Sequence, residues 1–411
     1  MTHATLSPSA QALVCMPARR KIMRFFITLA VLLGAAAASA RTFVVHPGGS
    51  IQTALNGASA GDRIVVQPGT YVETASADIA LTITRDGIEL VGLSTHGHPV
   101  ILQNAGKQSY GVWASPVNSL PTTPPGDDEN PPCDHQETAA VLTGFSIRGF
   151  TIRGFAIHGV HLACVDRFSI VDNRSEGNLV YGLFPVLSRH GLMLGNVVTG
   201  TTLDAAIYVG QSDDVLIAGN RVRDSLLGIE IENSRHCAAV ANEVQDNTAG
   251  ILVDLLPFLQ RDTQRSTLVA YNSVHRNNRK NDATEGLLSV LPAGSGIVVV
   301  GGHGTTVLAN DVRGNGFAGI ALASLCFGWN RLQDVPSCDA LPQIDPEFDT
   351  EPRDDRIIGN RLKGNGTTPQ SDPAFEAIRG DLIWDGSGTG NCWSGNSFTP
   401  SATSLQLPAC D

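Results

Sequence analysis

Glu230 and Glu232 lie in the string LGIEIE, Asp254 closes the similarly patterned AGILVD, and Tyr208 lies in a third, AAIYVG. Carboxylates brought side by side raise one another's proton affinity, so such a group suits general acid–base chemistry or the capture of a hard cation such as calcium. A phenol beside them would assist proton transfer. Glu230, Glu232, Asp254 and Tyr208 are therefore the candidate catalytic set. Asp204, Gln211 and Asn233 flank the same strings, and HRNNRKND adds His275, Arg276 and Lys280 as candidate substrate-binding groups. A basic loop arching over an acidic face would neutralise the carboxylate of an acidic sugar. FLQRDTQR adds Arg261 and Arg265 to these basic groups, and the competing reading is a solvated acidic stripe neutralised by arginines from the loops. No cofactor is expected, calcium being the one ion that these donors suit, and no Cys/His spacing suggests zinc.

What could bring these residues together is a repeat. Short apolar runs end at Asn173, Asn196, Asn220 and Asn242, and again at Asn272, Asn310 and Asn360. A period in the twenties marks a solenoid, whose units bury their apolar faces only by stacking. The strings between the asparagines alternate, so Ile207 and Val209, Ile229 and Ile231, and Ile251 and Val253 point inward. Tyr208, Glu230, Leu252, Val298 and Ala321 then form one outward row. Gly210, Glu232, Asp254, Val300 and Ala323 form a second, with rungs about 4.8 Å apart. The small residues Gly182, Ala206, Gly228, Gly250, Gly296 and Gly319 are read as tight turns before the strands. The asparagines are read as a structural stack at a bend. A hexapeptide period or leucine ladders with helices would indicate other solenoids, and neither is present. The expected fold is all-β, a right-handed single-stranded parallel β-helix of pectate-lyase type. Its first rung is capped by a helix over SIQTALNGASAGD, with Ser50 as N-cap. Insertions are expected near 107–138, 255–265, 276–294 and 324–354.

Asp204, Asp213-Asp214 and Gly302-His303-Gly304 imitate the acid pairs and GHG of polygalacturonases. The imitation fails on register, because Leu226-Leu227 stand one rung after Asp204, where that family keeps adjacent aspartates. Arg19, Arg20, Lys21 and Arg24 precede the apolar run 25–37 and Ala38-Ser39-Ala40, the pattern of a signal peptide over residues 1–40, with Met16 or Met23 as alternative starts. The remaining β-helix domain, 41–411, has no second apolar segment of membrane-spanning length. The net charge of -11 argues against a nucleic-acid partner. Cleavage leaves seven cysteines. Cys326 with Cys338 and Cys392 with Cys410 are the most economical pairs, Cys133 with Cys164 is a third, and Cys237 reads as a buried small hydrophobe.

The stretch DAAIYVGQSDDVLIAGNRVRDSLLGIEIENSRHCAAVANEVQDNTAGILVDLLPFL resembles a family of exported proteobacterial parallel β-helix repeat proteins. The opening SIQTALNGASAGDRIVVQPGTYVE and the tail from Cys392-Trp393 to Cys410 are similar to it as well. The chain departs from the family at Ala206, where Gly is usual, and at Leu255. The resemblance implies the pectin-lyase-like fold and no assigned reaction. The expectation is a periplasmic or secreted monomer that binds or modifies a polysaccharide or oligosaccharide in the manner of a lyase, epimerase or hydrolase. The alternative is a non-catalytic accessory whose strings at 204–256 dock a protein partner.

Overall fold

The computed structural model describes residues 40–116, 141–333 and 335–411. The expected leader and Cys133 lie outside the described residues. One full turn of the coil runs from Ala205–Gly210 in a third sheet, through Asp213–Ala218 in a first, to Arg221–Arg223 in a second. The next rung begins at Leu227–Glu232, and each strand pairs in parallel with its successor one rung on. Among the described residues the first sheet has 14 strands and the other two have ten each. The interior is filled by the residues that alternation points inward, among them Ile207, Ile229, Ile231, Ile251, Val253, Ile297 and Val299.

Asparagines hold the bend between the first and second sheets. Asn220 Oδ1 accepts from the backbone N–H of Asn196 at 2.9 Å and from its Nδ2 at 3.0 Å, while Asn220 Nδ2 donates to the Met193 carbonyl at 2.9 Å. The pattern repeats through Asn242, Asn272, Asn310 and Asn360 to Asn396. Two further ladders were not anticipated. Asn247, Asn277, Asn315 and Asn365 stack where the second sheet turns into the third, ending on Asp381. Ser188, Ser212, Ser234 and Gln264 do the same between the third sheet and the first, where Asp355 and Asn391 continue the line.

The recurrent glycines have a different cause from the one expected. Gly228 lies within a strand, and a Cβ there would stand 2.5 Å from the Gly250 carbonyl oxygen and 2.4 Å from Val244 Cγ1. Close packing against the next rung, rather than a turn, excludes the side chain. The capping helix is as expected: Ile51–Gly57, with Ser50 accepting from Thr53 N and with Ile51 and Leu55 buried. Strand Tyr110–Ala114 of the third sheet begins inside the stretch read as an insertion. Cys326–Cys338 and Cys392–Cys410 are bonded. Cys164 is also in a disulfide, and Cys237 is free and buried. No helix among the described residues is long and apolar enough to cross a membrane.

Two stability effects follow. Asn242→Ala removes the acceptor of two Asn220 donors and the donor to the Ile217 carbonyl, all of them buried. It is expected to destabilise the coil by roughly 2–4 kcal/mol, read as a lower urea midpoint. Burial pushes the Asp355 carboxyl up from 3.8 to about 8. The folded chain thus keeps a proton that the unfolded chain loses, and stability falls as pH rises from about 4 to about 8. Asp355→Asn is expected to flatten that decline and to raise the melting temperature at pH 8, with little difference near pH 4.

Candidate functional site on the third sheet

In-register stacking places Tyr208 opposite Glu230 and Glu230 opposite Leu252, while Gly210, Glu232 and Asp254 align in the neighbouring row. The expected crowding is therefore real. One carboxylate oxygen from each of Glu230, Glu232 and Asp254 lies within 4.8 Å of the others. Tyr208 Oη donates to Glu232 Oε1 at 2.8 Å. Gly210 makes that bond possible, because a Cβ there would stand 2.1 Å from the Tyr208 hydroxyl. The ring lies across the vacant row to reach the next rung.

The solvated-stripe reading is overturned. Glu230, Glu232, Asp254 and Tyr208 are exposed by only 4%, 7%, 0% and 4%. These residues face away from the coil's interior, yet a second apolar cluster covers the same outward rows further along the sheet. It includes Leu252, Val298, Val300, Ala321 and Ile383, packed with Leu287, Leu325, Trp329 and Phe348. The covering residues come from the late excursions, which carry the short helices Leu325–Trp329 and Pro373–Ile378. A cavity of about 60 Å³ remains among Leu252, Val298, Val300, Leu287, Phe327 and Ile378.

The rows continue the other way as an aromatic stack that the sequence reading did not single out. Trp113 stacks on His161 at 3.7 Å, His161 on Phe184 at 4.9 Å, and Phe184 on Tyr208 at 4.6 Å. The strings YGVWA, HGVHLA and YGLFPV carried that signal, one large ring per rung in the row of Tyr208. His158 Nδ1 lies 2.7 Å from His161 Nδ1, so one imidazole donates to the other. Burial holds both neutral, taking His158 down to about 3 and pushing His161 well below the usual imidazole range, where the neighbouring His158 adds to the effect.

Asp254 stands apart electrostatically. Burial, then the charges of Glu232 and Asp204, push its carboxyl well above the ordinary range. Neither of its oxygens has a hydrogen-bond partner among the described residues. Asp204 accepts from Tyr181 Oη at 2.9 Å at the edge of the cluster.

The remaining candidates lie elsewhere. Gln211 Oε1 accepts from Arg261 N, and Asn233 bonds both the N–H and the carbonyl of Leu256. These two buried amides tie the 255–265 excursion to the coil. Arg261 itself pairs with Asp213 at 2.6 Å, which Arg235 also binds at 2.7 Å. His275 belongs to the second sheet, and Arg276, next in the chain, pairs with Asp246. Lys280 pairs with Asp282. The expected basic loop over the acidic face is thus corrected: Arg276 neutralises a carboxylate beside the second sheet, and Lys280 one within its own loop. His303 pairs through its backbone with Arg265 and Arg353 along another row, which agrees with setting the polygalacturonase pattern aside.

Residues 158–328 match the family described as right handed beta helix region. The protein is a right-handed parallel β-helix. No curated protein sequence matches the chain. Among solved structures it is similar to a DFA-IIIase from Arthrobacter chlorophenolicus, at 13% identity and a TM-score of 0.52, covering 86% of this chain and 89% of that one. It is also similar to the A-module of a mannuronan C-5 epimerase of Azotobacter vinelandii, at 14% identity and 0.47, covering 88% and 92%. A periplasmic alginate epimerase gives 17% identity and 0.49, covering 83% and 78%. At these identities the likeness is one of fold.

Gly210→Ala tests how the β-helix positions its phenol. The methyl group is expected to displace the Tyr208 ring from Glu232 and to lower stability by about 1–3 kcal/mol. Near-ultraviolet circular dichroism and the unfolding midpoint read the two effects. An unchanged spectrum would contradict the placement of the ring across Gly210.

Proposed function

We propose that this β-helix modifies a polysaccharide at the outward face of its third sheet. The observation that carries the reading is the Tyr208–Glu232 hydrogen bond inside a buried group of three carboxylates. A phenol oriented by a carboxylate can deliver or take a proton, and the adjoining carboxylates offer the complementary base. That pairing serves lyase, epimerase or hydrolase chemistry, all of which move protons at a sugar ring. Asp204 borders the group and extends the set of polar contacts. The stacked rings from Trp113 to Phe184 are themselves buried and hold the Tyr208 ring in place beside the carboxylates. The shared coil of the solved structures supports the fold only; the site supports the chemistry. Export belongs to the same reading, since Cys326–Cys338 and Cys392–Cys410 fit an oxidising compartment.

The test is a panel of uronic-acid and neutral glycans incubated with the purified mature protein. A lyase creates unsaturated ends that absorb in the ultraviolet, an epimerase changes the proton spectrum of the polymer, and a hydrolase releases reducing ends. Turnover of at least one glycan is expected, with Tyr208→Phe and Glu232→Gln each slowing it by roughly 100-fold or more while the far-ultraviolet spectrum is unchanged. The reading fails if no glycan is bound or altered. It fails equally if Glu230 and Asp254 can be replaced together without effect on binding and turnover.

A further inference from the structure

Asp254 lies on the rung after Glu232, in the same outward row, and is wholly buried. Both of its carboxylate oxygens lack a hydrogen-bond partner among the described residues, although a buried carboxylate normally collects several. No lysine, arginine or histidine among the described residues makes an ion pair with it, and the charges that act on it, those of Glu232 and Asp204, are acidic. The unpartnered oxygens stand in the one place among the described residues where three potential ligand side chains converge, Glu230, Glu232 and Asp254.

We infer that Glu230, Glu232 and Asp254 form a binding site for a hard divalent cation, and that the cation is Ca²⁺. The donors are all carboxylate oxygens, with no imidazole or thiolate, which selects against zinc and copper and for the alkaline-earth ions. Burial separates calcium from magnesium. Magnesium gives up its water reluctantly and demands near-octahedral order, whereas calcium accepts carboxylates in irregular number and geometry. The three side chains project from two paired strands of a rigid coil, so the site is largely formed before the ion arrives. One consequence rests on the reading of this face as a glycan site. The positive charge that an acidic sugar would meet there comes from the ion, because Arg276 and Lys280 are paired at other places.

Calorimetric titration of CaCl₂ into chelator-treated mature protein tests the site without reference to turnover. One ion per chain is expected, with a rise in melting temperature and weaker binding of Mg²⁺. Asp254→Asn, which keeps the side chain's shape and withdraws one carboxylate ligand, is expected to fold and to weaken Ca²⁺ binding by tenfold or more. Glu232→Gln provides an independent second loss. Absence of Ca²⁺ binding to the parent protein would overturn the inference, as would binding that both variants leave undiminished. Either result would leave the glycan assays to stand on their own outcome.

Discussion

A side-chain amide at a bend reaches the backbone of the rung before it and the side chain of the rung after it, and so sets the register of each turn against the last. Asn196, Asn220 and Asn242 do this at one corner. The line from Asn247 to Asn365 does it at a second, and a mixed line of serines with Gln264, Asp355 and Asn391 at a third. With all three corners fixed, a strand cannot slip by a residue without breaking buried bonds. Outward side chains separated by 22 to 24 positions in sequence therefore meet as neighbours in space. The carboxylate cluster depends on that constraint. Glu232 and Asp254 face each other only because the rung between them has one permitted length.

The third sheet adds a second constraint, since it is buried on both sides. Parallel sheets are ordinarily covered on both faces, and here the coil interior covers one while the late excursions cover part of the other. Residues 276–294, 324–354 and 366–379 lengthen their rungs and spend that length on apolar contacts, such as Phe317 against Phe375 at 5.4 Å. Polar groups left under such a cover are held by definite partners or are strongly perturbed. Tyr208 on Glu232 is of the first kind and Asp254 of the second.

Much of this was legible in the sequence because alternation and a period in the twenties are properties of the chain itself. The two outward rows, from Tyr208 to Ala321 and from Gly210 to Ala323, agree with the observed register residue by residue. Burial was not legible, because alternation separates inside from outside the coil and says nothing of what folds over the outside. The same blindness placed Arg276 and Lys280 near the acidic face: a loop's position in the sequence does not reveal which sheet it leaves from. The second asparagine ladder was hidden for a chemical reason. Thr201 and Ser225 occupy its early rungs, so the repeat of Asn five residues after Asn becomes regular only from Asn247. The stack of Trp113, His161 and Phe184 needed the row to be followed upstream past the carboxylates.

Cys237 is one of the inward residues, a free thiol in a chain whose other described cysteines are bonded. Burial, with some help from Asp213 and Asp214, pushes it up to about 12. Disulfide exchange requires a thiolate with access to a sulfur. Once the rung around Cys237 has closed, its thiol has neither, and the pairs Cys326–Cys338 and Cys392–Cys410 are insulated from it. The hazard is confined to the time before closure. The fidelity of oxidation thus becomes a matter of order, with the middle of the solenoid needing to coil before the cysteines of the later excursion and tail find their partners.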